Sequence, residues 1–176
     1  MKMKKIISVA LLGAMTLSVA GCALKIETVK KGDFKDAIEE VIDEGDYAET
    51  SNNIYYYGDN FFIDYYELDD EDDAADAWED IYDAYEDMID HSDFEGKRKT
   101  VSTSSYGYIL LDGECDDDDF LRDVSGVQFL AYGENYYYGG IFYCEDQIII
   151  VMTLKDKDGN REDIDTILDA LGYPKP

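Results

Sequence analysis

The sequence predicts an α+β fold: one largely antiparallel sheet of about five to six strands, with about three helices packed on one of its faces. Three observations predict it. Apolar residues recur at helical spacing in three separate stretches, aromatic and β-branched runs of strand length fill the chain between them, and the order reads helix, hairpin, helix, four strands, helix. The composition, 45% hydrophobic and 14% aromatic, supplies a core that outweighs the disorder signal of the many acids.

Asp33 reads as the start of the first helix, with Asp36 three residues on as an imperfect capping box. Phe34, Ala37, Ile38, Val41 and Ile42 form its apolar stripe before Gly45 ends it. Ile54 to Tyr57, a turn at Gly58-Asp59-Asn60 and Phe61 to Glu67 read as a hairpin. Asp69 and Asp70 open the second helix, in which Ala74, Trp78, Ile81, Tyr85 and Met88 share one face. The opposite face is acidic, with Asp76, Glu79, Asp80, Asp83 and Glu86 among others, and no lysine pairs with them, so packing of the Trp78 stripe has to hold this helix. Lys97 to Asp112 reads as one strand. A long acidic loop follows, then strands at Val127–Tyr132, Tyr136–Cys144 and Gln147–Leu154. The unbroken apolar run Ile148-Ile149-Ile150-Val151 marks a central strand. Asn160 is expected to cap a last helix with Ile164, Ile167, Leu168 and Leu171 buried, closed by Gly172 and Pro174.

The first 22 residues are of another kind. Lys2, Lys4 and Lys5 precede an apolar run from Ile6 to Val19, which as a helix spans only about 21 Å, short of a roughly 30 Å hydrocarbon core. Val19-Ala20-Gly21-Cys22 follows and resembles the lipobox of bacterial lipoproteins. The resemblance implies cleavage before Cys22, lipid on its thiol, and an address on the extracytoplasmic face of a bacterial membrane. Ordinary cleavage after Ala20, at a small-x-small site, is the alternative. The body is loosely similar to small uncharacterised lipoproteins of Gram-positive bacteria, in its acidic helix, β-meander and closing Leu171-Gly172-Tyr173, and this likeness brings no functional residues with it. The expected organisation is therefore a signal peptide over 1–21, a lipidated tether over 22–31 and a single acidic domain over 32–173.

Loss of the leader removes three lysines and no acids, leaving 12 basic against 42 acidic residues and a formal charge near −30. Nucleic acid is excluded as a partner, because phosphate neutralisation needs a basic surface. Lys25, Lys30, Lys31 and Lys35 beside the anchor could meet anionic headgroups, or simply solvate a tether.

Candidate chemistry is sparse. With Cys22 lipidated, Cys115 and Cys144 remain, and they could pair or stand as separate thiols. Asp156, Asp158 and Asn160 resemble the first half of a calcium-binding loop, but Arg161 replaces the turn glycine and Ile167 the bidentate glutamate. Asp116 and Asp118 lie in an acidic run that could hold a cation loosely. Tyr55, Tyr56, Tyr57, Tyr136, Tyr137 and Tyr138 alternate between sheet faces, so with helices on one face the others form an exposed aromatic platform for a glycan or peptide. No catalytic motif occurs and no cofactor is implied. His91, the only histidine, sits at a helix end and needs no catalytic role. The expected function is a lipid-anchored binding or interaction module, with a divalent-cation-binding surface protein, or a hydrolase, as the alternative.

Overall fold

The computed structural model describes residues 24–42, 45–58, 60–91, 94–115 and 135–176. They form three helices and one open antiparallel sheet of seven strands, an α+β fold. The elements are α1 (Lys31–Glu39), β1 (Asp46–Glu49), β2 (Asn53–Gly58), β3 (Phe61–Glu67), α2 (Glu71–His91), β4 (Glu95–Ser102), β5 (Tyr106–Cys115), β6 (Asn135–Cys144), β7 (Gln147–Thr153) and α3 (Asp158–Leu171). Strand order is β1-β2-β3-β7-β6-β5-β4, which puts β7 in the middle, as its apolar run requires.

The sheet has helices on both faces, where the sequence reading placed them on one. On one face, Trp78, Ile81 and Tyr85 of α2 pack on Phe62, Ile109, Ile141, Tyr143, Ile148 and Ile150. On the other, Phe34 and Ile38 of α1 and Ile164, Ile167 and Leu168 of α3 pack on Ile63, Tyr65, Tyr108, Phe142, Ile149 and Val151. The period-2 alternation of each strand feeds both layers, so every residue from Ile148 to Met152 is buried.

The strand count also exceeds the expectation. β1 is a four-residue polar strand with no periodic signal, paired with β2 from Asp46↔Tyr57 to Glu49↔Ile54. The stretch expected as one strand over 97–112 is the hairpin β4–β5. Its turn contains no Gly or Pro and is held instead by the Thr103 hydroxyl, which accepts from the Tyr106 N–H at 3.1 Å. The expected strand Val127–Tyr132 lies outside the described residues. α2 carries the chain from β3 across β7 and β6 to the far edge, with Asp70 as its cap, accepting from the Asp73 N–H at 2.9 Å. The other two helices start without side-chain caps: α1 begins at Lys31 and not at Asp33, and α3 begins at Asp158, so Asn160 lies inside it.

Residues 24–30, expected as part of the tether, are built into the domain. Ile26 is fully buried, the Val29 N–H donates to Gln147 Oε1 at 2.9 Å, and Gln147 Nε2 donates back to the Val29 carbonyl at 3.1 Å. The Tyr173 hydroxyl donates to the Glu27 carbonyl at 3.2 Å, so the end of the chain holds this strap against the sheet.

Candidate functional site

Among the described residues the tyrosines do not form an exposed platform. Tyr56 and Tyr137 are buried, on opposite faces, and Tyr138 is 9% exposed. Tyr55 is half-buried edge-to-face against Tyr66, and Tyr56 packs likewise on Tyr47. The side chain of Tyr57 lies outside the described residues. The second helical layer is the physical reason: the face the sequence left open to tyrosine is covered by α1 and α3.

Tyr136 and Tyr138 meet part of the expected calcium loop instead. The Arg161 guanidinium sits between their rings, 4.8 Å from each centroid, and its Nη2 donates to Asp112 Oδ1 at 2.6 Å. The Tyr136 hydroxyl donates to the same oxygen, and Lys97 lies 3.4 Å from Asp112 Oδ2. Tyr138 donates to Asp165 at 2.8 Å, and burial, then that carboxylate, push its hydroxyl pKa well above the usual tyrosine range. Asp156 lies 3.4 Å from Arg161 Nε without hydrogen-bond geometry, Asp158 is exposed, and the Asn160 amide donates to Thr153 Oγ1 at 3.2 Å. The three do not converge on a cation, and no group of metal-ligating side chains occurs among the described residues. Asp116 and Asp118 lie outside them. The cluster is a strap holding α3 to β5 and β6. Arg161→Ala is expected to lower stability by about 2 to 3 kcal/mol through loss of the charge-assisted bond and two cation–π contacts, with Arg161→Lys restoring less than half. Urea unfolding checks it, and an alanine variant within about 0.5 kcal/mol of the native chain would refute it.

Cys115 and Cys144 cannot pair. Cys115 stands opposite Asn135 and Cys144 opposite Tyr106, the two ends of a ten-residue ladder, so the two sit roughly 30 Å apart. They also face opposite layers. Cys144 is buried beside Ile26, and burial pushes its thiol up to about 11.

Among the described residues a groove runs between α2 and β4, an edge strand of the sheet. Arg98, Thr100 and Ser102 share one face of β4, since they oppose Leu111, Ile109 and Gly107 across the ladder. Two cavities lie end to end there. One, of about 360 Å³, is lined by Ala75, Trp78, Glu79, Tyr82, Asp83, Tyr143 and the turn Ser102-Thr103-Ser104. The other, of about 420 Å³, is lined by Tyr85, Glu86, Ile89, Arg98 and Thr100. The Tyr82 hydroxyl, 3.3 Å from Thr100 Oγ1, stands between them. Trp78 stacks on Tyr143 with centroids 5.7 Å apart, and its indole N–H donates to Ser102 Oγ at 3.0 Å, which fixes the floor. Gly107 makes that seat: a Cβ there would lie 2.5 Å from the indole ring. The sequence places Trp78 in the core, where it lies, but runs a strand through Ser102 to Ser104, where the structure has the turn that walls the groove. The legible signal was Glu79 and Asp83, acids one turn apart flanking Tyr82 with no basic partner along the helix.

Comparison with known protein families, characterised proteins and solved structures finds no match to this chain.

Proposed function

We propose that the chain is a lipid-anchored, extracytoplasmic bacterial binding module, not a catalyst, and that its ligand seat is the groove between α2 and β4. One observation carries the seat: three aromatic residues, hydroxyls and carboxylates line the same open cavity, the mixture that grips a polar ligand with an apolar flank. The anchor rests on Val19 to Cys22, and no described helix is long and apolar enough to cross a membrane. Palmitate labelling in a bacterial host tests it. The native chain is expected to incorporate label and sediment with membranes, and Cys22→Ala to lose both. Membrane association unchanged in Cys22→Ala would refute the anchor.

A further inference from the structure

On the reading that the α2–β4 groove is a ligand seat, we propose that its ligand is a basic peptide segment, with a lysine or arginine side chain entering the Trp78–Tyr82 cavity between Glu79 and Asp83.

Charge complementarity selects this class. The residues lining the smaller cavity include two carboxylates and no lysine, arginine or histidine. Glu79 and Asp83 are both exposed, one helical turn apart on the same flank of α2, and both border this cavity. The negative field extends toward the start of the helix, where Asp70 first of all raises the carboxyl of Asp73 above its ordinary value. A neutral ligand makes no use of that field, and an anionic one is repelled by it.

The floor suits the rest of such a side chain. Lysine and arginine carry apolar stems that cover ring surface, and their charged ends favour the faces of aromatic rings. Trp78 is only 3% exposed and is held flat on Tyr143, so the ring surface left to a ligand is that of the half-buried Tyr82, pre-set on this support rather than recruited on binding. On the far wall the Ser104 hydroxyl, and the lone pair that Ser102 keeps beside its bond from Trp78, can accept the remaining N–H groups, while Thr103 is committed to the turn. The second cavity continues the groove along β4, the Ser102-to-Arg98 step covering roughly 13 Å, the length of about four extended peptide residues. Arg98 and Glu86 there offer one charge of each sign, which suits a backbone or a carboxylate following the basic residue. A peptide uses both cavities. A single amine fills one.

Trp78 is the only tryptophan in the chain, so its emission reports on this cavity alone. The full chain, in neutral detergent, is titrated with tetralysine, tetraglutamate and chitotetraose at about 0.02 M and about 0.5 M salt. Tetralysine is expected to give a saturable change that weakens with salt, and the other two none. Glu79→Gln with Asp83→Asn is expected to weaken tetralysine at least about tenfold. Asp73→Asn with Asp76→Asn removes the same charge from α2 at positions lining neither cavity, and is expected to cost less than about threefold. All four positions are exposed, and unchanged Trp78 emission without ligand confirms folding. Equal weakening by both pairs would overturn the proposal in favour of diffuse attraction to an acidic surface. A response to chitotetraose alone would overturn the ligand class while leaving the groove as a ligand seat. Silence with all three probes would overturn both.

Discussion

Raising the pH from 4 to 8 is expected to cost the native chain roughly 4 kcal/mol of stability that an Asp64→Asn variant does not lose. Asp64 lies in the middle of β3, between Tyr55 of β2 and Ile150 of β7, and is 5% exposed among the side chains beneath α2. Burial raises its carboxyl to about 7. The Tyr66 hydroxyl, donating at 2.8 Å, and a backbone bond from Tyr56 oppose the rise without cancelling it. In the unfolded chain the same group titrates near its ordinary value of 3.8. Below that value both states hold the proton and folding is undisturbed. As pH climbs from 3.8 to about 7 the unfolded chain releases the proton first, so stability falls across this window and levels off above it. Asparagine keeps an acceptor for Tyr66 and has no charge to bury. The other carboxylates titrate in both proteins, so the informative quantity is the difference between variant and native chain, measured by urea unfolding at several pH values. It should grow toward the variant between pH 4 and 7. A difference that stays constant would sink the idea.

Gly139→Ala is expected to be the most damaging single methyl in the sheet, at about 3 to 5 kcal/mol. Gly139 sits inside β6 with φ +138°, paired with Leu111 on one side and Met152 on the other. A Cβ there would stand 2.1 Å from the Val151 carbonyl oxygen and 2.6 Å from Met152 Cα. Both are backbone of the central strand, so relief requires β6 and β7 to part, and the backbone angle is itself one that side chains rarely adopt. Gly159, in the first turn of α3, is the matched control, with nothing within 4 Å of its Cβ position. Gly159→Ala should stabilise by up to about 1 kcal/mol through helix propensity. Urea midpoints of the two variants are therefore expected on opposite sides of the native one. A Gly139→Ala midpoint within the equivalent of about 1 kcal/mol of native would contradict the geometry.

Where a single periodic pattern governed an element, it was legible in the sequence. The stripes through Trp78 and Ile164 located α2 and α3, and the Ile148–Val151 run located the centre of the sheet. That run carried more than was taken from it: four successive apolar residues in a strand require two dry faces, hence a helical layer on each side. The same second layer buries tyrosines such as Tyr56 and Tyr138 that strand propensity alone would leave on an open face. β1 was silent because Asp46-Tyr47-Ala48-Glu49 is short and polar, and the β4–β5 turn because Thr103 does the work usually signalled by glycine. The groove is a tertiary feature. It exists because α2 lies over β7 and β6 and reaches β4 only through side chains such as Trp78 and Tyr82, and no local pattern encodes where a helix lies across a sheet.

The strap of residues 24–30 changes what an anchor at Cys22 would do. From Cys22 to the buried Ile26 is a reach of at most about 14 Å, so a lipid there would moor the domain with almost no slack. Ile26 lies beside Cys144, and Cys144 shares its end of the sheet with Tyr106 and the Thr103–Ser105 turn that walls the Trp78 cavity. A protein held this way does not sweep the surrounding space for its ligand. If lipidated at Cys22, it would meet only what comes within about one molecular diameter of the bilayer.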